Sequence, residues 1–179
     1  MSSTGEVTSF GADVQEAYWA SLLSTNGFKV PHANSGVLIG GDTSKPEMAF
    51  IAKTLVDLGF KLYCSSPDAE TYLKGLLYVT AKRIFFPTKD KRLLHEVFND
   101  IQCVIDLSKT RGKDFTNENY VARGNAVDFG LPLLNSASSA KLWVEALQRK
   151  IPQGELRKYE EGRISPEVRS WKEFIGRTV

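Results

Sequence analysis

Residues 36–65 read GVLIGGDTSKPEMAFIAKTLVDLGFKLYCS. A short apolar run, GVLIG, reads as a strand and stops at the pair Gly40–Gly41. KPEMAFIAKTLVDLG then reads as a helix, with Pro46 in its first turn and Gly59 at its end. FKLYCS is the next strand. Two strands joined through a helix pair in parallel, because a crossover of this length cannot close as a hairpin.

The same alternation continues outward. DAETYLKGL (68–76) is a helix, AKRIFFP (81–87) a strand and DKRLLHEVFND (90–100) a helix. IQCVIDLS (101–108) is a strand, and NENYVARGNAVDFG (117–130) is a helix closed by Gly130. LPLLNS (131–136) is the last strand and SSAKLWVEALQRK (138–150) the last helix. Strands alternating with helices predict an α/β fold, a Rossmann-like three-layer sandwich in which a five-stranded parallel sheet carries helices on both faces. This domain runs from 34 to 150. Ahead of it, residues 1–33 hold a helix that Asp13 caps and Gly27 stops, followed by a linker broken by Pro31. Behind it, residues 151–179 form a charged tail broken by Pro152 and Pro166. The tail's one apolar cluster, Val168, Trp171, Phe174 and Ile175, is expected to dock on the body or on a neighbour.

The bulk composition narrows the partners. The chain has 179 residues, 42% hydrophobic, with 23 basic and 21 acidic residues and a net charge of +2. That balance calls for neither nucleic acid nor an anionic membrane. No apolar stretch approaches the roughly 20 residues of a membrane span. MSSTGEVTSFG at the start has no signal-peptide pattern, so the chain reads as not secreted. It opens abruptly before a helix, as a piece of a longer chain would. Cys64 and Cys103 both sit in apolar runs and read as buried thiols, neither a disulfide nor a metal pair.

In an open parallel sheet, ligands bind beyond the carboxyl ends of the strands. Four segments fall there: GGDTSK (40–45), SSPD (65–68), DLSKTRGKD (106–114) and NSASS (135–139). Several precede helix N-termini, where free N–H groups favour an anion. The candidate anion-binding residues are Lys45, Ser65, Asp68, Asp106, Ser108, Lys109, Arg111, Lys113 and Asn135. Ordinary N-capping explains the Ser, Asp and Asn members more simply. Asp42, Asp68, Asp106 and Asp114 share this edge, and capping explains them more simply than acid–base chemistry does. The two histidines, His32 and His95, lie in the linker and inside a helix pattern and read as surface or structural residues. Neither GxGxxG nor GxxxxGK[ST] is present, and no His/Cys metal spacing occurs.

NYVARGNAVDFGLPLLNSASSAKLWVEAL (119–147) resembles the methylglyoxal-synthase-like regulatory region of carbamoyl-phosphate synthetase large chains. That family shows Asn-Tyr-x-x-Arg-Arg-x-Ala-x-Asp, a strand with proline, then a Thr-Lys-Leu-Phe-x-Glu-Ala helix. Asn119, Tyr120, Arg123, Ala126, Asp128, Pro132, Lys141, Leu142, Glu145 and Ala146 match it. EVTSFGADVQEAYWASLLSTNGFKVP (6–31) looks like the end of the preceding synthetase unit. GVLIGGDTS and SPEVRSWKEFIG look most like the fungal arginine-pathway enzyme, with the UTP-sensing pyrimidine-pathway fusion as the alternative.

The resemblance implies a domain without chemistry of its own and without a cofactor. The parent uses ATP and Mg to make carbamoyl phosphate from bicarbonate and glutamine-derived ammonia. Its implied partners are the rest of the large chain, the glutaminase small chain, and a small effector such as a nucleotide or N-acetylglutamate. Self-association is a further implied role. The parent's compartment is implied to be mitochondrial or cytoplasmic.

In nucleotide-binding members two lysines, two threonines and an Asn/Thr pair hold the phosphate. Lys45 matches the first lysine and Ser65 stands at the first threonine. Asp68 replaces the second threonine, Asp106 and Ser108 replace the pair, and Gly124 replaces the second arginine. A carboxylate about 4 Å from a phosphate charge costs on the order of 1 kcal/mol in water and about 4 at an effective dielectric near 20. A weak or absent nucleotide response is therefore expected, with the nearby Lys109, Arg111 and Lys113 as groups able to restore an anion site. A free-standing methylglyoxal synthase is disfavoured, because CSSPDAE replaces its phosphate loop and no histidine stands at a strand end.

Overall fold

Alternation along β1 (Gly36–Gly41) sets the layers. Val37 and Ile39 join one buried cluster and Leu38 joins the other. Such a strand is buried on both faces, as parallel strands are. A computed structural model describes residues 8–25, 28–32, 34–42, 46–76, 79–85, 90–108, 118–151, 172 and 175–176. After α1 (Val14–Ser24) come β1, α2 (Pro46–Asp57), β2 (Lys61–Cys64), α3 (Pro67–Leu76) and β3 (Ala81–Arg83). They are followed by α4 (Lys91–Phe98), β4 (Ile101–Leu107), α5 (Glu118–Asp128), β5 (Leu133–Leu134) and α6 (Ala137–Lys150).

The five strands form one all-parallel sheet in the order β3-β2-β1-β4-β5. The larger cluster joins Trp19 of α1, Ile51 of α2, Leu73 of α3 and Trp143 of α6 to one face. The smaller joins Phe98 of α4 with Ala122 and Ala126 of α5 to the other. The expected three-layer α/β sandwich is the observed architecture. Both cysteines are free and buried, as expected. Burial pushes the Cys64 thiol up to about 11 and the Cys103 thiol higher still.

The helix ends follow the glycines. Gly59 and Gly130 take positive φ, and the amides after them bond back to Leu55 and Ala126, closing α2 and α5. Three boundaries differ from expectation. β3 is three residues long, because its partner β2 offers only Leu62 to Cys64 for pairing. β5 is two residues long, since Pro132 has no N–H and contributes only its carbonyl, to Val104 N. α1 ends at Ser24 with Thr25 as its cap, earlier than the expected stop at Gly27, which lies outside the described residues.

α1 is tied to α6 rather than standing apart. Asp13 caps α1 through Glu16 N (2.9 Å) and also pairs with Arg149. The Glu16 amide first, and the Arg149 guanidinium second, hold the Asp13 carboxyl below its ordinary range. Gln15 Nε2 donates to Glu145 Oε2 at 2.9 Å, and Trp19 beneath is fully buried. In the tail Ile151, Lys172, Ile175 and Gly176 are described, with Ile151 packed against the larger cluster and Ile175 exposed; Val168, Trp171 and Phe174 lie outside the described residues.

Candidate carboxyl-edge site

In this strand order the direction of winding reverses between β1 and β4, which makes their carboxyl ends the crevice of the sheet. Register builds one row across it. Gly40 pairs with Asp106, Ile39 with Cys64 just before Ser65, Cys64 with Arg83, and Ile105 with Leu134 just before Asn135.

The glycine pair is what lets this row close. Gly41 sits at φ +104, and a Cβ on it would overlap the backbone of Leu107 and Ser108. A Cβ on Gly40 would overlap Ser65 Oγ and come within 2.8 Å of Asn119 Oδ1. The described part of GGDTSK thus turns the chain and brings β1 against β4.

Helix α5 lies over this row and bonds to three strands. Ser65 Oγ donates to Asn119 Oδ1 at 2.7 Å, and Ser65 is 1% exposed. Arg83 Nη2 meets Glu118 Oε1 at 3.3 Å. Arg123 Nη1 donates to Asp106 Oδ2 at 2.6 Å and lies 2.5 Å from Ser108 Oγ. Asp106, 2% exposed, accepts Ser108 N at 2.9 Å on Oδ1, and Ser108 Oγ at 3.0 Å and Arg123 on Oδ2. A carboxylate held by an amide, a hydroxyl and a guanidinium has the surroundings of a bound oxyanion. Asp106 therefore plays the anion, supplied by the chain itself.

The expected site residues divide accordingly. Ser65, Asp106 and Ser108 come together under α5. Asn135 follows on the neighbouring strand, exposed. Asp68 is exposed in the first turn of α3, while Ser66 Oγ accepts from Ala69 N at 3.3 Å at that helix start. Lys45, Lys109, Arg111, Lys113 and Asp114 lie outside the described residues. Asp106 is not the uncompensated charge that the sequence argument counted, because Arg123 neutralises it. The same bond also spends the arginine. Sequence reasoning did not place Asn119, Arg123, Arg83 or Glu118 in the site. Asn119 and Arg123 are four apart, so one helix face presents both, and that spacing was the available signal. Both histidines lie at the other edge of the sheet, lining a groove there.

No family model matches the chain. Curated relatives do. It is 46% identical over 178 residues to the carbamoyl phosphate synthase arginine-specific large chain of Cutaneotrichosporon cutaneum. The mitochondrial arginine-specific large chain of Schizosaccharomyces pombe is also 46% identical over 178 residues. These matches cover 98% of this chain and 15% of each relative. This chain is a homologue of one part of carbamoyl phosphate synthase large chains. Its similarity extends to the multifunctional protein pyr-3 of Neurospora crassa, at 34% over 158 residues, which is 83% of this chain and 9% of that protein. The C. cutaneum and S. pombe arginine-specific chains thus match over a longer span and at higher identity than pyr-3.

Proposed function

We propose that this chain is a non-catalytic regulatory and assembly domain, of methylglyoxal-synthase-like type, in an arginine-specific carbamoyl phosphate synthase large chain. The parent would make carbamoyl phosphate from bicarbonate and glutamine ammonia with ATP and magnesium bound elsewhere in the large chain. This domain would contact the rest of that chain and, through it, the glutaminase small chain. The compartment would be the parent's, mitochondrial as the S. pombe relative is named, or cytoplasmic.

The observation that carries this reading is the Asp106–Arg123–Ser108 cluster. The described part of the crevice is filled by a buried, internally neutralised ion pair. An ion pair with its hydrogen bonds already made offers no nucleophile, no free general base and no uncommitted cation for a phosphate. A domain of this kind is retained for how it packs and couples, not for what it turns over. The similarity to pyr-3 favours one second reading, a nucleotide-responsive domain of a pyrimidine-pathway fusion.

An assay separates the two. Carbamoyl phosphate synthesis by the whole large chain with its small chain is expected to change less than about twofold on addition of UTP, UMP or N-acetylglutamate, since a shift that small is only about 0.4 kcal/mol of coupling. Inhibition of tenfold or more by UTP would replace the first reading with the second.

A further inference from the structure

At the amino edge of the sheet, away from the crevice, a groove of about 380 Å³ lies between residues 29–32, the end of α4, the start of β4 and the end of α5. That volume is within the range of small-molecule sites. Phe98 and Phe129 form its aromatic wall, with ring centroids 5.2 Å apart. His95 stands edge-on to Phe129 at 4.6 Å, which fixes its ring. The polar side chains on the lining, Lys29, His32, His95, Asn99 and Gln102, all carry hydrogen-bond donors, and no carboxylate is among them.

Asp100 and Glu96 do not line this groove. Asp100 accepts from Tyr63 Oη at 2.6 Å and from Lys61 Nζ at 3.3 Å, and Glu96 lines a separate groove beside Arg83 and Val97. Gln102 is oriented: its Oε1 accepts the His32 amide at 2.6 Å, which leaves its Nε2 as a donor pair at the groove. Helix C-termini repel anions through their free carbonyls. At α5 two of those carbonyls are bonded back, Val127 O by Gly130 N at 3.0 Å and Ala126 O by Leu131 N at 2.8 Å, and at α4 Glu96 O accepts Asn99 N at 3.3 Å.

We infer that this groove binds a small organic carboxylate with a flat apolar body. The body lies against Phe98 and Phe129, and the carboxylate meets Lys29 and the Gln102 and His95 donors. The inference is independent of the carboxyl-edge site.

The test is an NMR titration of the chain with benzoate, with benzamide as the uncharged isostere and acetate as the charge without a body. Saturable shifts in the Gln102 side-chain amide and the His95 ring are expected with benzoate. Benzamide and acetate are expected to bind about tenfold more weakly or worse, as are the variants Lys29→Met and His95→Phe towards benzoate, each having lost one charge-assisted bond. His95→Phe keeps the ring against Phe129, and Lys29 is exposed, so both variants retain the fold. Equal binding of benzoate and benzamide, shifts centred on Ser65 and Asn119, or no saturation would each overturn the inference.

Discussion

Replacing Arg123 with methionine will destabilise the fold by about 3 kcal/mol, because removing one partner of a buried pair leaves the other charge without compensation. Asp106 is 2% exposed, so water cannot take over from the guanidinium. The two Ser108 bonds remain, but an amide and a hydroxyl do not neutralise a charge. The Arg123 side chain itself keeps 20% exposure, which places the expected loss at the lower end for buried pairs. The double variant Asp106→Asn with Arg123→Met will recover much of that loss, since no buried charge remains. Urea unfolding of the wild type, the two single variants and the double variant measures the coupling directly. A loss below about 0.5 kcal/mol for Arg123→Met, the level of an ordinary surface change, would mean that the pair is not what closes the crevice.

Trp19→Ala will cost about 3–5 kcal/mol, the range for emptying an aromatic site in a core. Trp19 is fully buried within the larger apolar cluster, with Phe28 and Val30 packed around that cluster from the same segment. Its indole can be replaced neither by solvent nor by collapse of a short helix already pinned to α6 by Gln15–Glu145 and Asp13–Arg149. Thermal or urea unfolding of the variant will show one cooperative transition shifted as a whole. A wild-type midpoint would mean that α1 only rests on the domain, as a segment belonging wholly to a preceding unit would.

Much of this fold is legible in the residues, and the reasons are local. The strand–helix alternation needs only short-range periodicity, and Gly59 and Gly130 mark helix ends because each takes a positive φ. Strand lengths at the sheet edges are less legible. Ile84 and Phe85 carry the expected strand AKRIFFP beyond β3, yet residue pairing stops at Arg83 with the partner strand, and nothing in that run announces where its partner ends. The packing of α1 is hidden for the same reason. Its polar links to α6 join residues 130 and 136 positions apart.

The candidate site shows the limit most clearly. The sequence shows Ser65, Asp106 and Ser108 at strand ends, which is enough to expect an anion site there. It does not show that Asp106 turns inward, because burial at a strand end depends on what lies above it. What lies above is α5, whose Asn119 and Arg123 reach Ser65 and Asp106 across 54 and 17 residues. A resemblance that matched Asn119 and Arg123 still left their partners unnamed, so the charge count treated Asp106 as a repelling group and Arg123 as a motif position.

Calorimetric titration of the chain and of its Asp106→Asn variant with UMP and inorganic phosphate, at low and physiological salt, tests the central claim most directly. If the chain's own carboxylate fills the anion site, the wild type gives no binding heat. The variant, with Arg123 and Ser108 released, gives a measurable, salt-sensitive one. Micromolar binding of UMP by the wild type would contradict the account, because the crevice would then be open with Asp106 in place.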